Sequence, residues 1–395
     1  MNNRRILIIP DACVGTSSGA TVTQVMMRWL KQADFTVSVY SADVKATYSD
    51  EDVEFYPAPC FTGYANIFSS EYRKRFKNVL DTFMPSHILF VGSITNKPLC
   101  YLEEAYKRNL KVEVFIFMQD FYCSKYYAND HQAPCRKCLD EGFKHVFKSN
   151  CGVKDIGFLK LAERYRTRIK LQKLLTKVDH IGTSTDEQAQ FYVDFGIQMS
   201  KIFKLPLPFD DSKLKKYQSS RGDYYIGIAQ NRIEKGFQFV PSILEHTSAK
   251  LILAYYNEQA VSVNLQNPEF RKYIEKGQLR LVASSWKTNL GDLVAGSLGV
   301  LIPTIWPTTT EYGWLEALAL NKPTVTFDIS AHHEFMSNRL NGLVSPLGDF
   351  KAMGENMDYL MSVSDSVYHD MERNIEKLYA TLSNQNGWLK FFTTL

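Results

Sequence analysis

The stretch that decides the fold runs from Pro303 to Asp349 and reads PTIWPTTTEYGWLEALALNKPTVTFDISAHHEFMSNRLNGLVSPLGD. Just ahead of it, Val300-Leu301-Ile302 is a short apolar run closed by Pro303, which suits a strand buried in a parallel sheet. A polar turn follows, with three threonines and Glu311 as candidate N-caps. The run from Trp314 to Leu320 then predicts a helix, stopped by Asn321-Lys322-Pro323. Thr324-Val325-Thr326-Phe327 predicts the next strand. In a doubly wound sheet, a strand–turn–helix–strand unit puts a helix N-terminus at the carboxyl edge of the strands. Its free N–H groups and dipole suit an anion such as a diphosphate there.

These pieces resemble the donor-binding signature of family 4 glycosyltransferases, enzymes of the GT-B fold. That signature runs from a strand ending in Pro, through an acidic turn with Gly, into a helix beginning Glu-Ala. It then has Gly/Asn-x-Pro-Val, an acidic residue in the next loop and an Asn-Gly-Leu-Val...Gly-Asp close. The matching residues are Glu316-Ala317, Asn321-Lys322-Pro323, Glu334, Asn341-Gly342-Leu343-Val344 and Gly348-Asp349. There is one departure. The family carries two glutamates eight positions apart, and Thr308 stands eight before Glu316. Either Glu311 takes over the sugar-facing role from a shifted turn, or that role is lost.

At 395 residues the chain exceeds one ordinary core, so two domains are expected. A net charge of +4 does not point to nucleic acid. No apolar run reaches the ~20 residues of a membrane span, and no signal-peptide pattern follows the basic start. The expectation is a cytoplasmic protein, whose seven cysteines then do not form a disulfide framework.

Ile6–Ile9, a small polar loop, a helix through Val25, Met26, Trp29 and Leu30, and Phe35–Tyr40 give a Rossmann-like opening. Gly15 and Gly19 let the backbone approach a ligand, or simply serve a tight turn. GT-B enzymes open in a similar way, and there this loop faces the acceptor. Further strands are predicted at residues 87–92 and 112–117. The second leads into Gln119-Asp120. The family often has His-Asp at this place, with the His touching the transferred sugar. Gln119 can hydrogen-bond a hydroxyl but cannot carry a proton as imidazole does. Asp120 keeps the family residue, as a functional group or as a cap.

Cys123, Cys135-Arg136-Lys137-Cys138 and Cys151 form a constellation of one C-x-x-C flanked by two single cysteines. Four thiolates of this kind can hold a structural zinc; the alternative is four small buried residues. A subset of family 4 enzymes has cysteines inserted at a similar place. Residues 158–177 predict a basic helix with a leucine face, and Arg73-Lys74-Arg75-Phe76-Lys77 is a second basic cluster. The helix either lies on an anionic inner-leaflet surface or packs its leucines on the domain core.

A polar stretch over residues 210–223 reads as a linker, and Tyr224–Ala229 opens a second Rossmann-like domain. Glu234-Lys235-Gly236 matches the family's Glu-Lys-Gly motif. The family Arg aligns with Gln230, so Arg232 stands as its substitute. The resemblance implies that Lys235 and Arg232 hold the donor diphosphate, helped by the helix N-terminus at Tyr312, Gly313 and Trp314. It further implies that Glu316 accepts from the ribose hydroxyls and that Glu311 touches the sugar. Trp286 is placed to stack on the base, or is a core aromatic.

The expected fold is α/β of the GT-B type, with two Rossmann-like doubly wound domains facing across a cleft. The first spans residues 1–206, with a Cys-rich insertion at 121–151. A linker covers 207–222 and the donor-binding domain 223–375. A tail, 376–395, returns to the first domain. The expected function is retaining, metal-independent transfer of a sugar from a nucleotide-sugar donor to a glycan or lipid-linked acceptor. The resemblance is to enzymes of the type used in bacterial surface-polysaccharide synthesis, and the expected place of the chain is the cytoplasm, at most peripheral at the inner membrane. The alternative is a GT-B-shaped scaffold subunit that no longer catalyses, since Thr308, Gln119 and Gln230 replace family residues.

Overall fold

The structure, a computed structural model, describes residues 4–13, 18–42, 53–60, 69–123, 135–148, 157–307 and 309–395. Gly15, Cys151 and Thr308 therefore lie outside the described residues. The chain forms two compact units. One holds the described residues before 124, Cys135–Phe209 and Asn384–Leu395; the other holds Asp210–Ser383.

The first unit is built on a seven-stranded parallel sheet. Its strands are β1 (Arg5–Ile9), β2 (Thr36–Ser41), β3 (Glu54–Pro57), β4 (His87–Val91), β5 (Lys111–Phe115), β6 (His180–Thr183) and β7 (Ile202–Lys204). Their spatial order is β3-β2-β1-β4-β5-β6-β7. Ile6, Leu7 and Ile8 are wholly buried because β1 is central, hydrogen-bonded to β2 on one side and to β4 on the other. Edge strand β3 carried no readable signal: it is four residues long and ends in proline.

The C-terminal helix Asn386–Thr394 belongs to this unit. Its Trp388 is fully buried, donates its indole N–H to the Pro206 carbonyl at 2.6 Å, and meets Trp29 and Phe115. The basic helix is observed at Phe158–Leu175. Leu161, Leu171, Leu174 and Leu175 are buried in the unit, while Phe158 and Leu159 are exposed. Several of the basic side chains are already spoken for. Lys170 of this helix pairs with Glu103 at 2.5 Å, and Arg73 of the second basic cluster pairs with Glu103 and Glu104.

The second unit has six parallel strands: β8 (Tyr224–Ala229), β9 (Lys250–Tyr255), β10 (Leu279–Ala283), β11 (Gly299–Ile302), β12 (Thr324–Phe327) and β13 (Leu343–Ser345). Their order is β10-β9-β8-β11-β12-β13. The predicted helix after β11 is observed at Tyr312–Ala319, with Glu311 as N-cap. The C-terminal helical run of this unit is two helices, Phe350–Ser362 and Asp365–Leu382. Ser364 breaks it: its hydroxyl caps the second helix by accepting from the Val367 N–H.

In both sheets the strand order reverses at one place, between β1 and β4 in the first and between β8 and β11 in the second. At such a switch point the two loops leaving the carboxyl ends of the strands run to opposite sides. The crevice between them is where open α/β sheets bind ligands.

Candidate functional site

In the second unit the switch-point loops are residues 230–236, after β8, and 303–311, after β11. They are tied by main-chain contacts. The Glu234 carbonyl accepts from the Ile305 N–H at 3.1 Å and from the Thr304 hydroxyl at 3.0 Å. Gly236 has φ +74°, and a Cβ there would sit 1.7 Å from the Pro303 carbonyl oxygen. Only glycine permits this approach, which is the physical content of the Glu-Lys-Gly motif.

The approach delivers Lys235 to Glu311. The Lys235 Nζ donates to Glu311 Oε2 at 2.6 Å, with the side chains 17% and 9% exposed. The ammonium also lies 5.2 Å from the centre of the Trp306 ring. Burial alone would push the Glu311 carboxyl up, but the adjacent Lys235 charge outweighs it and holds the group below its ordinary range. Arg232 lies in the same loop, more than half exposed, and its guanidinium pairs with Glu234 at 2.5 Å. Lys235 and Arg232 are thus both brought to this edge, each beside a carboxylate.

The helix N-terminus is built into the same turn. Gly313 is packed so that a Cβ would only just reach Ile228 of β8, at 4.0 Å. Tyr312 is half-buried. Trp314 is fully buried and meets His332 edge-on at 4.9 Å. His332 carried no signal in the sequence. It is buried, its Nδ1 lies 2.6 Å from the Thr326 hydroxyl, and burial lowers its pKa to about 4, so it is a neutral imidazole. Thr310 Oγ1, Glu311 Oε1 and Trp314 Nε1 are buried with no hydrogen-bond partner among the described residues. A buried polar atom without a partner calls for a physical reason, and bonding capacity kept for a ligand is one such reason.

One turn into the helix, Glu316 is half-buried. Burial pushes its carboxyl up to about 8, against the opposing pull of the Trp286 indole. Glu316 and Trp286 are thereby brought together. Trp286 also lies 6.4 Å from Tyr217, ring to ring.

The first unit's switch point holds the remaining candidates. Asp120 and Gln119 are wholly buried. Asp120 Oδ2 accepts from the Ser93 hydroxyl at 2.6 Å, the Thr95 N–H at 2.8 Å and the Thr95 hydroxyl at 2.7 Å. Burial raises its pKa against those three bonds. Beside it is a pair that sequence reading missed. Lys97 Nζ donates to Asp11 Oδ1 at 2.7 Å, and also to the carbonyls of Val91 and Ser93 at 2.9 and 2.6 Å. Gly19 lies in the first turn of helix Ser18–Gln32, with nothing within 4 Å of the position a Cβ would take.

Of the cysteines, Cys123 is buried and Cys135 and Cys138 are half-buried. Burial, then the neighbouring Cys123 and, further down, Cys135, raise the Tyr122 hydroxyl. Cys138 lines a small cavity with the same tyrosine. Among the described residues no three His, Cys, Asp or Glu side chains are grouped so as to hold a metal ion. Arg136 is engaged by Asp194 at 2.6 Å and stacks over Phe191. Among the described residues, no helix is long and apolar enough to cross a membrane.

No protein-family model matches the sequence, and no curated protein matches it. Solved structures do. HepE from Anabaena, in complex with UDP-glucose, superposes with a TM-score of 0.68 at 8% identity, over 99% of this chain and 98% of its own. Sucrose-phosphate synthase from Thermosynechococcus elongatus gives 0.70 at 10% identity, over 99% and 98%. WaaG, a glycosyltransferase involved in lipopolysaccharide biosynthesis, gives 0.63 at 13%, over 97% and 98%. At these identities the likeness is one of fold, and with the two switch-point sheets described above, the fold of this chain is GT-B.

Proposed function

We propose that the chain is a glycosyltransferase that moves a sugar from a nucleotide-sugar donor to a glycan or lipid-linked acceptor, with retention at the anomeric carbon and no catalytic metal. The observation that carries this reading is the meeting of Lys235, Glu311 and a helix N-terminus at the second unit's switch point. Glycosyl transfer breaks a bond to a diphosphate oxygen, so charge develops on the leaving group. A cation and free N–H groups aimed at that oxygen stabilise the transition state more than the ground state.

Lys235 Nζ has one hydrogen-bond acceptor in the described structure, Glu311, which leaves two ammonium protons for the diphosphate. Arg232, on the exposed side of the same loop, reaches the outer phosphate. Glu316 takes the ribose hydroxyls and Trp286 the base. The orphaned Oε1 of Glu311 accepts from a hydroxyl of the transferred sugar. Asp120 and Gln119 are the first unit's candidates.

The test is a thermal-shift screen of the protein against UDP, GDP, TDP and CDP, with Lys235→Ala alongside. A ligand at ~100 times its dissociation constant adds about 2.7 kcal/mol of stability. One nucleotide is expected to raise the melting temperature of the wild type and not of Lys235→Ala. In a transfer assay the variant should lose on the order of 10²-fold or more in rate. Turnover at the wild-type rate would remove Lys235 from the mechanism.

A second reading, a non-catalytic GT-B scaffold, is favoured by the burial of Gln119 at zero exposure. It predicts no shift with any of the four nucleotides. A structural zinc on Cys123, Cys135, Cys138 and Cys151 is proposed separately, on the four-thiolate donor set. Elemental analysis should find one zinc per chain, lost in Cys135→Ser/Cys138→Ser; no zinc in the wild type rejects it.

A further inference from the structure

We infer that Glu311 is a built-in counter-anion that sets how tightly the site holds a diphosphate. The inference rests on the donor-site reading above and deepens it. Its basis is a local charge count. The switch-point loops bring two cations, Lys235 and Arg232, and two carboxylates, Glu311 and Glu234. They are paired one to one at 2.6 and 2.5 Å. The site that is to receive a diphosphate is therefore close to electrically neutral before the ligand arrives.

The two pairs are not equivalent. Arg232 is more than half exposed, so water already screens it, and its pair contributes little to the field inside the site. Lys235 and Glu311 are mostly buried, where screening is weak and a charge acts strongly on its neighbours. Glu311 is ionised, since Lys235 holds its pKa down. Its backbone is fixed as the N-cap of helix Tyr312–Ala319, but its side chain makes no capping bond to that helix. The carboxylate instead turns to the lysine. It thus opposes the two features that attract an anion here, the ammonium and the helix N-terminus.

A diphosphate bound by Lys235 would lie against this carboxylate, and like charges in a poorly screened site repel. Such a site keeps enough attraction to place the leaving group, through the two remaining ammonium protons and the helix N–H groups. It gives up affinity for the free nucleoside diphosphate. For a transferase, that loss eases release of the product once the sugar has left.

The experiment is calorimetric titration of UDP, GDP, TDP, CDP and inorganic pyrophosphate into wild type, Glu311→Gln, Lys235→Ala and the double variant. The amide keeps the size of the side chain and removes the charge. Glu311→Gln should bind the preferred nucleotide about tenfold more tightly than the wild type does, and pyrophosphate likewise. The gain should vanish in the Lys235→Ala background, because burial, unopposed by the ammonium, favours the protonated, uncharged Glu311 there. Should Glu311→Gln fold poorly, Glu311→Ala removes the same charge with no side chain to misplace. Equal or weaker binding by the folded variant overturns the inference and leaves the donor site standing. If no nucleoside diphosphate binds the wild type or the variant, the donor-site reading falls and this inference with it.

Discussion

The two switch points use the same parts to opposite ends. Each has a glycine with positive φ pressed against the facing loop: Gly92 against the Asp11 carboxylate, Gly236 against the Pro303 carbonyl. Each has a lysine paired with a carboxylate across the two loops, Lys97 with Asp11 and Lys235 with Glu311. In the first unit the lysine is saturated. Its three protons go to Asp11, the Val91 carbonyl and the Ser93 carbonyl, and the side chain is 5% exposed. In the second, the lysine has one acceptor among the described residues and is 17% exposed. A saturated lysine holds two loops together. An unsaturated one at a helix N-terminus has bonding capacity left for a ligand. Motif matching cannot make this distinction; counting donors and acceptors does.

The largest effect that separates the two is on stability. Lys97→Met removes the cation that faces Asp11 among the described contacts and leaves two buried carbonyls without their donor. Leaving those carbonyls unpaired should cost about 2–4 kcal/mol in chemical denaturation. Lys235→Ala should cost less, because among the described contacts that lysine serves no carbonyl, and should show its main effect in nucleotide binding. A Lys97→Met protein with wild-type stability would show that the first switch point is not held as described. One that stays fully stable but no longer binds nucleotide would move ligand chemistry into the first unit.

What the sequence disclosed follows the same division. The strand runs around Ile6–Ile9, Tyr224–Ala229 and Val300–Ile302 were legible because buried parallel strands are continuous apolar runs of definite length. The helix over Tyr312–Ala319 was legible from its polar entry and its Asn-Lys-Pro stop. Resemblance to a known signature pointed to Lys235, Glu311 and Glu316, and the fold places them on one sheet edge. The pairings were not legible. Lys235 and Glu311 are 76 residues apart and Lys97 and Asp11 are 86 apart. Nothing local says which carboxylate a lysine will meet. Lys322 shows the limit sharply. In sequence it is part of a helix stop; in the fold it is wholly buried, donating to the carbonyls of Ser220 and Ser297 at 2.6 and 2.8 Å. Burial lowers its pKa to about 8.

The smallest effect tests the second switch point through Glu316. Burial raises this carboxyl from 4.5 to about 8, so the folded protein keeps a proton that the unfolded chain loses above pH 4.5. The stability this group supplies is full below that pH and is lost as pH rises through about 8. The melting temperature of the wild type should therefore decline across this window relative to Glu316→Gln, which has no proton to lose. Ribose hydroxyls act in the opposite sense. They donate to the carboxylate, favour its ionised form, and so pull its pKa down when nucleotide binds. Binding near neutral pH should then release a proton, which calorimetry in two buffers of different ionisation enthalpy detects. Release in the wild type and none in Glu316→Gln would place the ribose on this carboxylate. Equal proton counts in both would leave Glu316 as a buried acid of the helix, and the second switch point would resemble the first more than its unsaturated lysine suggests.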